Sequence, residues 1–469
     1  MKLPRVMIAA GASGSGKTLI TCGVLKAMMK KGLSMTSFKC GPDYIDPMFH
    51  RQILGTKSGN LDSFFAEKEQ LNGFLIEGSR NHDLAILEGV MGYYDGIGGV
   101  TDQASSFELA NITDTPTIFV VNGKGMSLSI VPYIKGFLEF KEESQIKGVI
   151  INQISPMMYP KLKALIESEL SLKVYGYLPK NDTFALESRY LGLTLPEEII
   201  DVKYRLELLG DQVEQTIDLD GILELAHSAG DLTSDFHPEV HHPSGNGLKD
   251  DLGDINQISV GEKIKIAVAR DAAFSFVYEE NLEILKSLGA QIIEFSPLAD
   301  RQLPKGIKGI IFPGGYPELH AQELHQNHSM RRSIKKCLED GIPFMAECGG
   351  FLYLHEELKT PDGVPYSMIG FVKGCGYKEA KLGPFGYATF TSSKPIFGVE
   401  GIKIKGHEYH YYRSTACGVD LQGEKPGGGR TYVTGHVSRQ YVMGFPHLAY
   451  YSNRELVKGF LERCAEYES

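Results

Sequence analysis

Cysteine is scarce in this sequence and does not occur in pairs. The seven cysteines among 469 residues form no C-x-x-C motif, and their count is odd. A disulfide framework and a cysteine-based zinc site are therefore not expected. Basic residues are also in the minority, since 48 Lys and Arg stand against 58 Asp and Glu, a formal net charge of -10. This balance argues against general nucleic-acid binding, which depends on a basic surface that neutralises phosphates.

Long apolar runs are missing as well. No stretch approaches the roughly 20 apolar residues of a membrane-spanning helix, so no membrane partner is expected. The apolar N-terminal residues lead directly into a glycine-rich motif instead of a cleavage site, so they predict a strand and not a signal peptide. With 42% hydrophobic and 23% charged residues, the composition is typical of a globular protein, which we expect in the cytoplasm.

The chain is too long for one ordinary domain, because single hydrophobic cores stop growing at about 250 to 300 residues. In its first half, apolar runs such as RVMIAA alternate with helical patterns, one of them at about Leu19–Lys31. The alternation resumes with KIKIAVA and continues to PFMAECGG. Such runs are typical of parallel strands covered on both faces, so the sequence predicts an α/β fold with domains at 1–230 and 263–469. The strands predicted in the first half are Arg5–Ala10, Asp83–Glu88, Thr117–Asn122 and Gly148–Asn152.

Residues 231–262 are predicted to form a linker between the domains. Asp, Gly, Pro, Ser and His replace the apolar periodicity in this segment. A metal site formed by His237, His241 and His242 is the alternative, but no fixed ligand spacing supports it. A solvated linker is therefore the preferred interpretation.

A phosphate-binding loop is predicted near the N-terminus. The segment GASGSGKT matches G-x-x-x-x-G-K-[ST] and lies between a predicted strand and a predicted helix, as the motif requires. Gly11, Gly14 and Gly16 let backbone N–H groups surround phosphates, and the helix N-terminus adds its positive dipole. Lys17 is expected to reach the terminal phosphates, and Thr18 to bind magnesium. The alternative, a glycine-rich turn without a ligand, is disfavoured because motif and context agree.

Two segments offer carboxylates for that magnesium ion. KCGPDYIDP places Asp43 and Asp46 three residues apart in a proline-containing turn. EGVMGYYDG begins with Glu88 at the end of a predicted strand, where ligands collect on open α/β sheets. A nucleotide-bound magnesium ion takes one or two carboxylates, so both segments are candidates. The alternative for each aspartate is simple turn formation.

A cysteine nucleophile is predicted in the second half. AECGG places Cys348 at a strand-to-helix turn, like the nucleophile elbow of hydrolases. The helix dipole there is expected to stabilise its thiolate. A buried structural cysteine is the alternative. Attack on an amide also needs an oxyanion site, and Gly314 and Gly315, after the predicted strand GIIF, offer backbone N–H donors for it.

Three histidines are candidates for the base that such a cysteine needs. His447 occurs in GFPHL near the C-terminus, whereas His407 and His410 occur in GHEYH. A base must come within hydrogen-bond reach of the thiol, which the sequence alone does not determine. A structural role therefore remains the alternative for each of the three.

These segments, in this order, resemble the cobyrinate a,c-diamide synthase family over nearly the whole chain. That family joins a P-loop ATP-binding domain, similar to dethiobiotin synthetase and built on a mostly parallel sheet, to a class I glutamine amidotransferase domain of the triad type. The markers are FKCGPDYIDPMFH, GNLDSFF, LEGVMGYYDG, YGYLPKND, SRYLGL, FSFVYEENLE, PGGYPELHA, AECGGFLYL and GHEYHYYR.

The resemblance implies a ligase that uses magnesium, ATP and glutamine. Its substrate would be cobyrinic acid, whose a and c side-chain carboxylates are amidated through acyl phosphates in cobalamin biosynthesis. Relatives of dethiobiotin synthetase often pair, so a homodimer is expected by analogy. The nearest alternative substrate is nickel sirohydrochlorin of the coenzyme F430 pathway, because that amidation uses the same motifs. An alternative of another class is a P-loop switch ATPase whose second domain is not catalytic.

In the first half, the resemblance assigns ATP and magnesium to Lys17 and Thr18. It implies that Asp43, Asp46 and Glu88 handle the metal and the activated intermediate. Thr18, Asp43 and Glu88 are the expected metal ligands. Lys39 and Asn152 are assigned to the nucleotide site, with Asn152 expected to contact the base.

In the second half, the resemblance makes Cys348 the nucleophile and His447 its base. Related amidotransferases carry a glutamate two residues after this histidine, where the present chain has Ala449. The third member of the triad therefore stays open, and Glu408 is one candidate.

Overall fold

The computed structural model of the protein describes residues 2–184, 202–236, 263–428 and 430–468. The chain divides into two compact units, Met1–His237 and Pro238–Ser469. The predicted linker lies outside the described residues except for 231–236. In that short stretch, Ser234 Oγ donates to the carbonyl of Glu69, and the ring of Phe236 packs edge-on against Phe74. These residues therefore belong with the first unit.

The first unit contains a sheet of seven parallel strands in the order β3-β2-β4-β1-β5-β6-β7. Its strands are β1 (Arg5–Ala10), β2 (Met35–Cys40), β3 (Lys57–Leu61), β4 (Leu84–Glu88), β5 (Thr117–Asn122), β6 (Ile146–Asn152) and β7 (Lys173–Leu178). All four strands predicted in the first half are confirmed to within two residues. Each consists largely of apolar residues buried on both faces.

Eight α-helices accompany this sheet among the described residues. They are α1 (Lys17–Lys30), α2 (Ile45–Phe49), α3 (Lys68–Gly78), α4 (Ser106–Ile112), α5 (Ile130–Glu139), α6 (Tyr159–Leu170), α7 (Val202–Thr216) and α8 (Leu219–His227). The predicted helix Leu19–Lys31 corresponds to α1, whose buried face includes Leu25 and Met28. The chain leaves α1 at Gly32, which adopts a φ of +88° and donates its N–H to Met29.

The strand order brings three motifs of the first unit together. β2, β4 and β1 are adjacent and parallel, so their carboxyl ends meet at one edge of the sheet. Lys39 and Glu88 are register partners at that edge. The P-loop follows β1 at the same edge, where the crevice of an open α/β sheet holds its ligands.

The second unit is also α/β, but it contains three sheets. Its strands are β8 (Ile264–Ala269), β9 (Ala290–Phe295), β10 (Gly309–Phe312), β11 (Phe344–Glu347), β12 (His355–Lys359), β13 (Pro365–Ser367), β14 (Val372–Lys378), β15 (Gly386–Ser392), β16 (Lys403–Glu408), β17 (Tyr412–Ser414), β18 (Leu421–Glu424), β19 (Thr431–Thr434), β20 (His436–Val437), β21 (Tyr441–Gly444) and β22 (His447–Leu448). Its α-helices are α9 (Glu279–Ser287), α10 (Ala321–Gln326), α11 (His328–Glu339), α12 (Gly349–Tyr353) and α13 (Arg454–Glu466).

The main sheet of this unit has the order β20-β21-β11-β10-β8-β9, and all its pairings except β20-β21 are parallel. Two smaller sheets follow α12 in the chain. One has the order β13-β12-β14-β17, and the other is an antiparallel sheet with the order β19-β18-β15-β16-β22. The alternation of strands and helices did not predict the smaller sheets. No helix of the described residues has the length and apolar character that a bilayer crossing requires.

Candidate active sites

The glycine-rich loop of the first unit is built for close backbone approach. Gly14 and Gly16 have φ angles of +75° and +96°, in the left-handed region that favours glycine. A side chain at Gly16 would also overlap the amide nitrogen of Asn152. Gly16 caps α1 without a side-chain hydrogen bond, so the first N–H groups of this helix face the loop. These N–H donors and the positive end of the helix dipole are the features by which such loops bind phosphate.

Lys17 is folded back over the loop. Its Nζ donates to the carbonyls of Ala12 (3.1 Å) and Met91 (2.5 Å). Burial, and then the nearby Lys39 cation, lower the pKa of Lys17 to about 8. Charged phosphate oxygens bind a cation more strongly than carbonyl dipoles do, so they can replace these two carbonyls.

A buried cluster of opposite charges stands beside Thr18. The Thr18 hydroxyl donates to Glu88 Oε1 at 2.5 Å and lies 3.4 Å from Asp46 Oδ2. Lys39 Nζ donates to Asp46 Oδ2 (2.5 Å) and to Glu88 Oε1 (2.9 Å). The sheet brings these side chains together, because Lys39 and Glu88 are neighbours on β2 and β4 and Thr18 lies in the first turn of α1, which follows β1.

Burial and the neighbouring charges shift the pKa values within this cluster. Burial opposes the charge on Lys39, but Asp46, Glu88 and Asp43 outweigh it and hold the Lys39 pKa well above its usual value. Burial also opposes ionisation of Asp46, yet the charge of Lys39 and its hydrogen bond keep the pKa of Asp46 below its usual range. For Glu88 burial dominates and raises the pKa to about 7. A further cation here would favour the ionised form of Glu88.

The donor set fits a magnesium ion bound together with a nucleotide. Such an ion prefers oxygen ligands and needs only one or two carboxylates besides phosphate and water. Thr18, Glu88 and Asp46 offer oxygen atoms within one cluster. Glu88 Oε2 is buried and has no hydrogen-bond partner among the described residues, so a cation would compensate its desolvation. No group of three or more His, Cys, Asp and Glu side chains suited to a metal occurs in the described ranges, so phosphate would have to complete the site.

Asp43 and Asp46 occupy different places, although they share one turn. Asp43 Oδ1 accepts the backbone N–H groups of Ile45 (2.8 Å) and Asp46 (3.3 Å). Its other oxygen lies 3.9 Å from Lys39 Nζ. Burial, and then Asp46, raise the pKa of Asp43 to about 6. The structure therefore brings Asp46 to Thr18 and uses Asp43 in the turn.

His50 joins this cluster, although the motif reasoning did not single it out. Its ring is buried, with Nδ1 3.0 Å from Ser37 Oγ and Nε2 3.5 Å from Glu88 Oε2. Burial lowers the pKa of His50 to about 4, so the imidazole is neutral. His50 ends the marker FKCGPDYIDPMFH, in which the sequence pointed to Lys39, Asp43 and Asp46.

Asn152 supports the loop from the end of β6. Its Nδ2 donates to the carbonyl of Ser15 at 2.9 Å, and its side chain is buried. In this arrangement the amide group stabilises the P-loop. The second N–H of this amide and its carbonyl oxygen are left for the predicted contact with the nucleotide base.

In the second unit, Cys348 occupies a strained turn. It has φ +46° and ψ -105°, between the end of β11 and the start of α12. Its N–H donates to the carbonyl of Gly444 at 2.7 Å. A Cβ atom on Gly349 would lie 2.8 Å from the carbonyl oxygen of Gly315, and one on Gly350 would overlap the carbonyl of Phe312. This sharp, glycine-dependent turn has the geometry of a nucleophile elbow.

The predicted oxyanion loop lies against this elbow. The backbone nitrogen of Gly315 is 2.9 Å from the point that a Cβ atom of Gly349 would occupy. Gly349 itself donates its N–H to the Cys348 side chain. The carbonyl of Gly314 is bound by the N–H of Phe276 at 3.1 Å, which fixes the loop. Backbone N–H donors therefore collect next to the sulfur, where an oxyanion would form.

At Cys348 burial outweighs the expected stabilisation of the thiolate by the start of α12. Burial raises the pKa of its thiol well above the usual value, and the carboxylates of Glu318 and Glu408 add to this effect. Helix α12 has only five residues, so its dipole is short. Attack by Cys348 therefore requires a base that removes the proton.

His447 is the histidine that reaches the oxyanion loop. A Cβ atom on Gly314 would overlap its ring carbon Cε1. His407 stacks on the other side, with ring centroids 5.0 Å apart and planes at 19°. Burial, and then His447, lower the pKa of His407 well below its usual value, so this imidazole is neutral.

His410 and Glu408 bind each other. Glu408 Oε2 lies 3.0 Å from His410 Nε2, and Glu408 Oε1 accepts the Tyr432 hydroxyl at 2.9 Å. His410 Nδ1 is 2.6 Å from the carbonyl of Tyr412, and the ring stacks on Phe445. The structure therefore separates the histidine candidates, because His410 has other partners and His447 lies at the oxyanion loop.

Comparison with known proteins places a different domain in each half of the chain. Residues 6–191 match the model of the CobQ/CobB/MinD/ParA nucleotide binding domain. Residues 265–437 match that of the CobB/CobQ-like glutamine amidotransferase domain. The first match includes the P-loop and its carboxylates. The second includes Cys348 and ends before His447.

Several curated proteins with the name cobyrinate a,c-diamide synthase resemble the chain over almost its entire length. The protein of Priestia megaterium is 35% identical over 98% of this chain and 97% of its own. That of Listeria innocua serovar 6a is 37% identical over 96% and 97%, respectively. That of Thermoplasma volcanium is 37% identical over 100% and 98%.

Proposed function

The chain belongs to the cobyrinate a,c-diamide synthase family, and we propose that it amidates the a and c side-chain carboxylates of cobyrinic acid with ATP and glutamine. The observation that carries the proposal is the presence of two different reactive sites in one chain. One is a P-loop beside a buried cluster of carboxylates, and the other is a cysteine elbow beside an oxyanion loop. A carbon–nitrogen ligase fed by glutamine needs both.

The first unit would activate the carboxylate. A carboxylate is a poor electrophile, and transfer of the γ-phosphoryl group of ATP makes it an acyl phosphate with a good leaving group. Lys17 and the N–H groups at the start of α1 would bind the transferred phosphoryl group and stabilise its charge. A magnesium ion held by Thr18 with Glu88 and Asp46 would neutralise phosphate charge when bound.

The second unit would supply ammonia. Cys348 would attack the side-chain amide of glutamine while His447 takes the proton of its thiol. The backbone N–H groups of Gly315 and Gly349 would stabilise the oxyanion. The C–N bond then breaks, and His447 returns the proton to the departing ammonia. Water hydrolyses the thioester to glutamate, and ammonia displaces phosphate from the acyl phosphate.

The test is a transfer experiment with glutamine labelled with nitrogen-15 in its amide group. The protein is incubated with cobyrinic acid, magnesium and ATP, and the product is analysed by mass spectrometry. We expect two successive amidations, both carrying the label. Consumption of ATP without label in any product would refute the proposal. Nickel sirohydrochlorin is tested in parallel. If it is amidated in preference to cobyrinic acid, it is the substrate of the same reaction.

We also infer that the enzyme works in the cytoplasm, where ATP and glutamine are available, and as a homodimer. The dimer rests on analogy with dethiobiotin synthetase. Light scattering after size-exclusion chromatography measures it directly, and a monomer mass at micromolar concentration would contradict it.

A further inference from the structure

A histidine base needs a partner at its second ring nitrogen. That partner fixes the ring orientation and the tautomer, and it stabilises the imidazolium that forms when the base takes a proton. In the proposed glutaminase reaction, His447 is this base. Ala449, two residues further on, carries no group that could act as its partner. The carboxylate has to come from elsewhere in the second unit.

Glu408 is already committed to other groups. Its Oε2 binds His410, and its Oε1 accepts the hydroxyl of Tyr432. His410 Nδ1 contacts a backbone carbonyl, and its Nε2 lies 3.0 Å from Glu408 Oε2. Glu408 and His410 are thus hydrogen-bonded to each other. Turning Glu408 toward another histidine would leave a buried polar group without its partner.

Glu347 faces His447 instead. Its Oε2 lies 3.7 Å from His447 Nδ1, and its Oε1 accepts the N–H of Leu448 at 3.3 Å. Both side chains are buried, with 8% of Glu347 and 3% of His447 exposed. In such an environment the attraction between a carboxylate and an imidazolium is stronger than in water.

The backbone holds the two residues in these places. Glu347 ends β11 and pairs in register with Gly444 on β21, and the chain reaches His447 three residues later. The His447 ring lies between His407 on one side and Gly314 on another, which restricts its rotation. Its Nδ1 edge therefore stays directed at Glu347.

We propose that Glu347, the residue immediately before the nucleophile, is the positioning residue of His447 and completes the triad from the strand that carries Cys348. In the reacting complex the 3.7 Å separation would shorten and the carboxylate would accept a hydrogen bond from Nδ1–H, which leaves Nε2 as the basic nitrogen. When Cys348 attacks, the Sγ–C bond forms and the thiol proton moves to Nε2. Glu347 stabilises the resulting imidazolium until that proton leaves with ammonia as the C–N bond breaks.

The test compares Glu347→Gln, Glu347→Asp and Glu408→Gln in the full-length protein. For Glu347→Gln we expect kcat of the glutaminase to fall by about 100-fold or more, with KM for glutamine within about threefold of wild type. The acidic limb of kcat/KM should move to lower pH, because loss of a neighbouring carboxylate lowers the pKa of an imidazole. Glu347→Asp should restore part of kcat, and amidation driven by ammonium should stay unchanged, which shows that the protein is folded.

The opposite pattern would overturn the assignment. A kcat of Glu347→Gln within threefold of wild type, an unmoved acidic limb, or these effects in Glu408→Gln instead, would each exclude Glu347 as the partner. The inference rests on the proposed function, so glutamine turnover by the wild type is measured first. If the wild type does not turn over glutamine, the proposed function and the role of Glu347 are both overturned. If the wild type is active and Glu347→Gln is equally active, only the positioning role of Glu347 is overturned.

Discussion

The thiol of Cys348 lies among acidic residues. Glu318 follows the oxyanion loop in a short 3-10 turn and is itself buried, and burial raises its pKa to about 8. Its charge is the largest electrostatic contribution, after burial, to the raised pKa of Cys348. Ionisation of Glu318 therefore opposes ionisation of the thiol. The rate at which a reagent alkylates Cys348 should therefore depend on the ionisation of Glu318, because only the thiolate reacts.

We predict that Glu318→Gln makes Cys348 more reactive in alkaline solution. Above about pH 8 the wild-type carboxylate is ionised and raises the pKa of the thiol, whereas glutamine stays neutral. Iodoacetamide should alkylate Cys348 up to about tenfold faster in the variant at pH 9, since one pKa unit changes the thiolate fraction tenfold. Near pH 6.5, where Glu318 is protonated, the two rates should converge. Peptide mass spectrometry follows the site, Cys348→Ser is the blank, and equal rates at pH 9 would contradict the prediction.

Asp46 and Asp43 form a matched pair of carboxylates. We predict that Asp46→Asn lowers ammonium-driven amidation by about 100-fold and raises the magnesium concentration needed for half-maximal rate, because Asp46 lies beside Thr18 and Lys39. Asp43→Asn should keep the activity within about tenfold, because an asparagine oxygen can accept the same two backbone N–H groups. The rate of ammonium-driven amidation is measured for both variants as a function of magnesium concentration. A greater loss of rate in Asp43→Asn would make Asp43 the metal ligand, as the resemblance to the family implies.

Motifs identify residues whose chemistry is local, and they fail where a partner comes from elsewhere in the fold. Lys17, Thr18 and Cys348 stand out because a loop or an elbow fixes them by its own spacing. The spacing of Asp43 and Asp46 does not tell which one turns toward Thr18. The contact between Glu347 and His447 joins residues that are distant in the chain, so no local pattern could reveal it.

At the scale of elements, the turn from β1 to α1 offers two glycines with similar backbones and different surroundings. Both Gly14 and Gly16 have positive φ, but a methyl group on Gly14 would meet nothing within 4 Å, whereas one on Gly16 would overlap Asn152. We predict that Gly14→Ala lowers the free energy of unfolding by about 1 kcal/mol, because alanine is strained in the left-handed conformation. Gly16→Ala should cost about 1 to 3 kcal/mol more, because Asn152 must move away from Ser15.

Urea unfolding of the two alanine variants in the absence of nucleotide measures this difference. The double variant Gly16→Ala with Asn152→Ala is the control, since removing the amide removes the overlap. In the Asn152→Ala background, replacing Gly16 by alanine should therefore lower the free energy of unfolding by less than it does in the wild type. Equal decreases in the free energy of unfolding for Gly14→Ala and Gly16→Ala would show that the Asn152 side chain can move away without loss of stability.

Elements were predictable where burial determines the composition. β1 and β5 are apolar on both faces, because helices cover the sheet on both sides. β16 reads KIKGHE, with charged residues and a glycine that strands usually avoid, and it forms because β15 and β22 pair with it. β22 has two residues, too few for any periodicity, and yet it carries His447. The first parallel strands of the second unit, from KIKIAVA to PFMAECGG, were therefore predicted, whereas β21 and the smaller sheets were not.

For the molecule as a whole, the proposal requires two chemistries that can be separated by mutation. Cys348 releases nitrogen, and the P-loop prepares its acceptor. Ammonia from solution is chemically the same as ammonia released from glutamine. Free ammonium at high concentration should therefore replace the second unit's product but not the first unit's function.

We predict that Cys348→Ser abolishes amidation driven by glutamine and preserves amidation driven by ammonium, because serine is a far weaker nucleophile here and the ATP site is untouched. Lys17→Ala should give the converse result, with both amidations lost and hydrolysis of glutamine retained at least in part. Product mass and glutamate release, measured on the same samples, separate these outcomes. Loss of ammonium-driven synthesis in Cys348→Ser would mean that the thiol also serves the ATP-dependent step, and full synthesis by Lys17→Ala would remove the P-loop from the reaction.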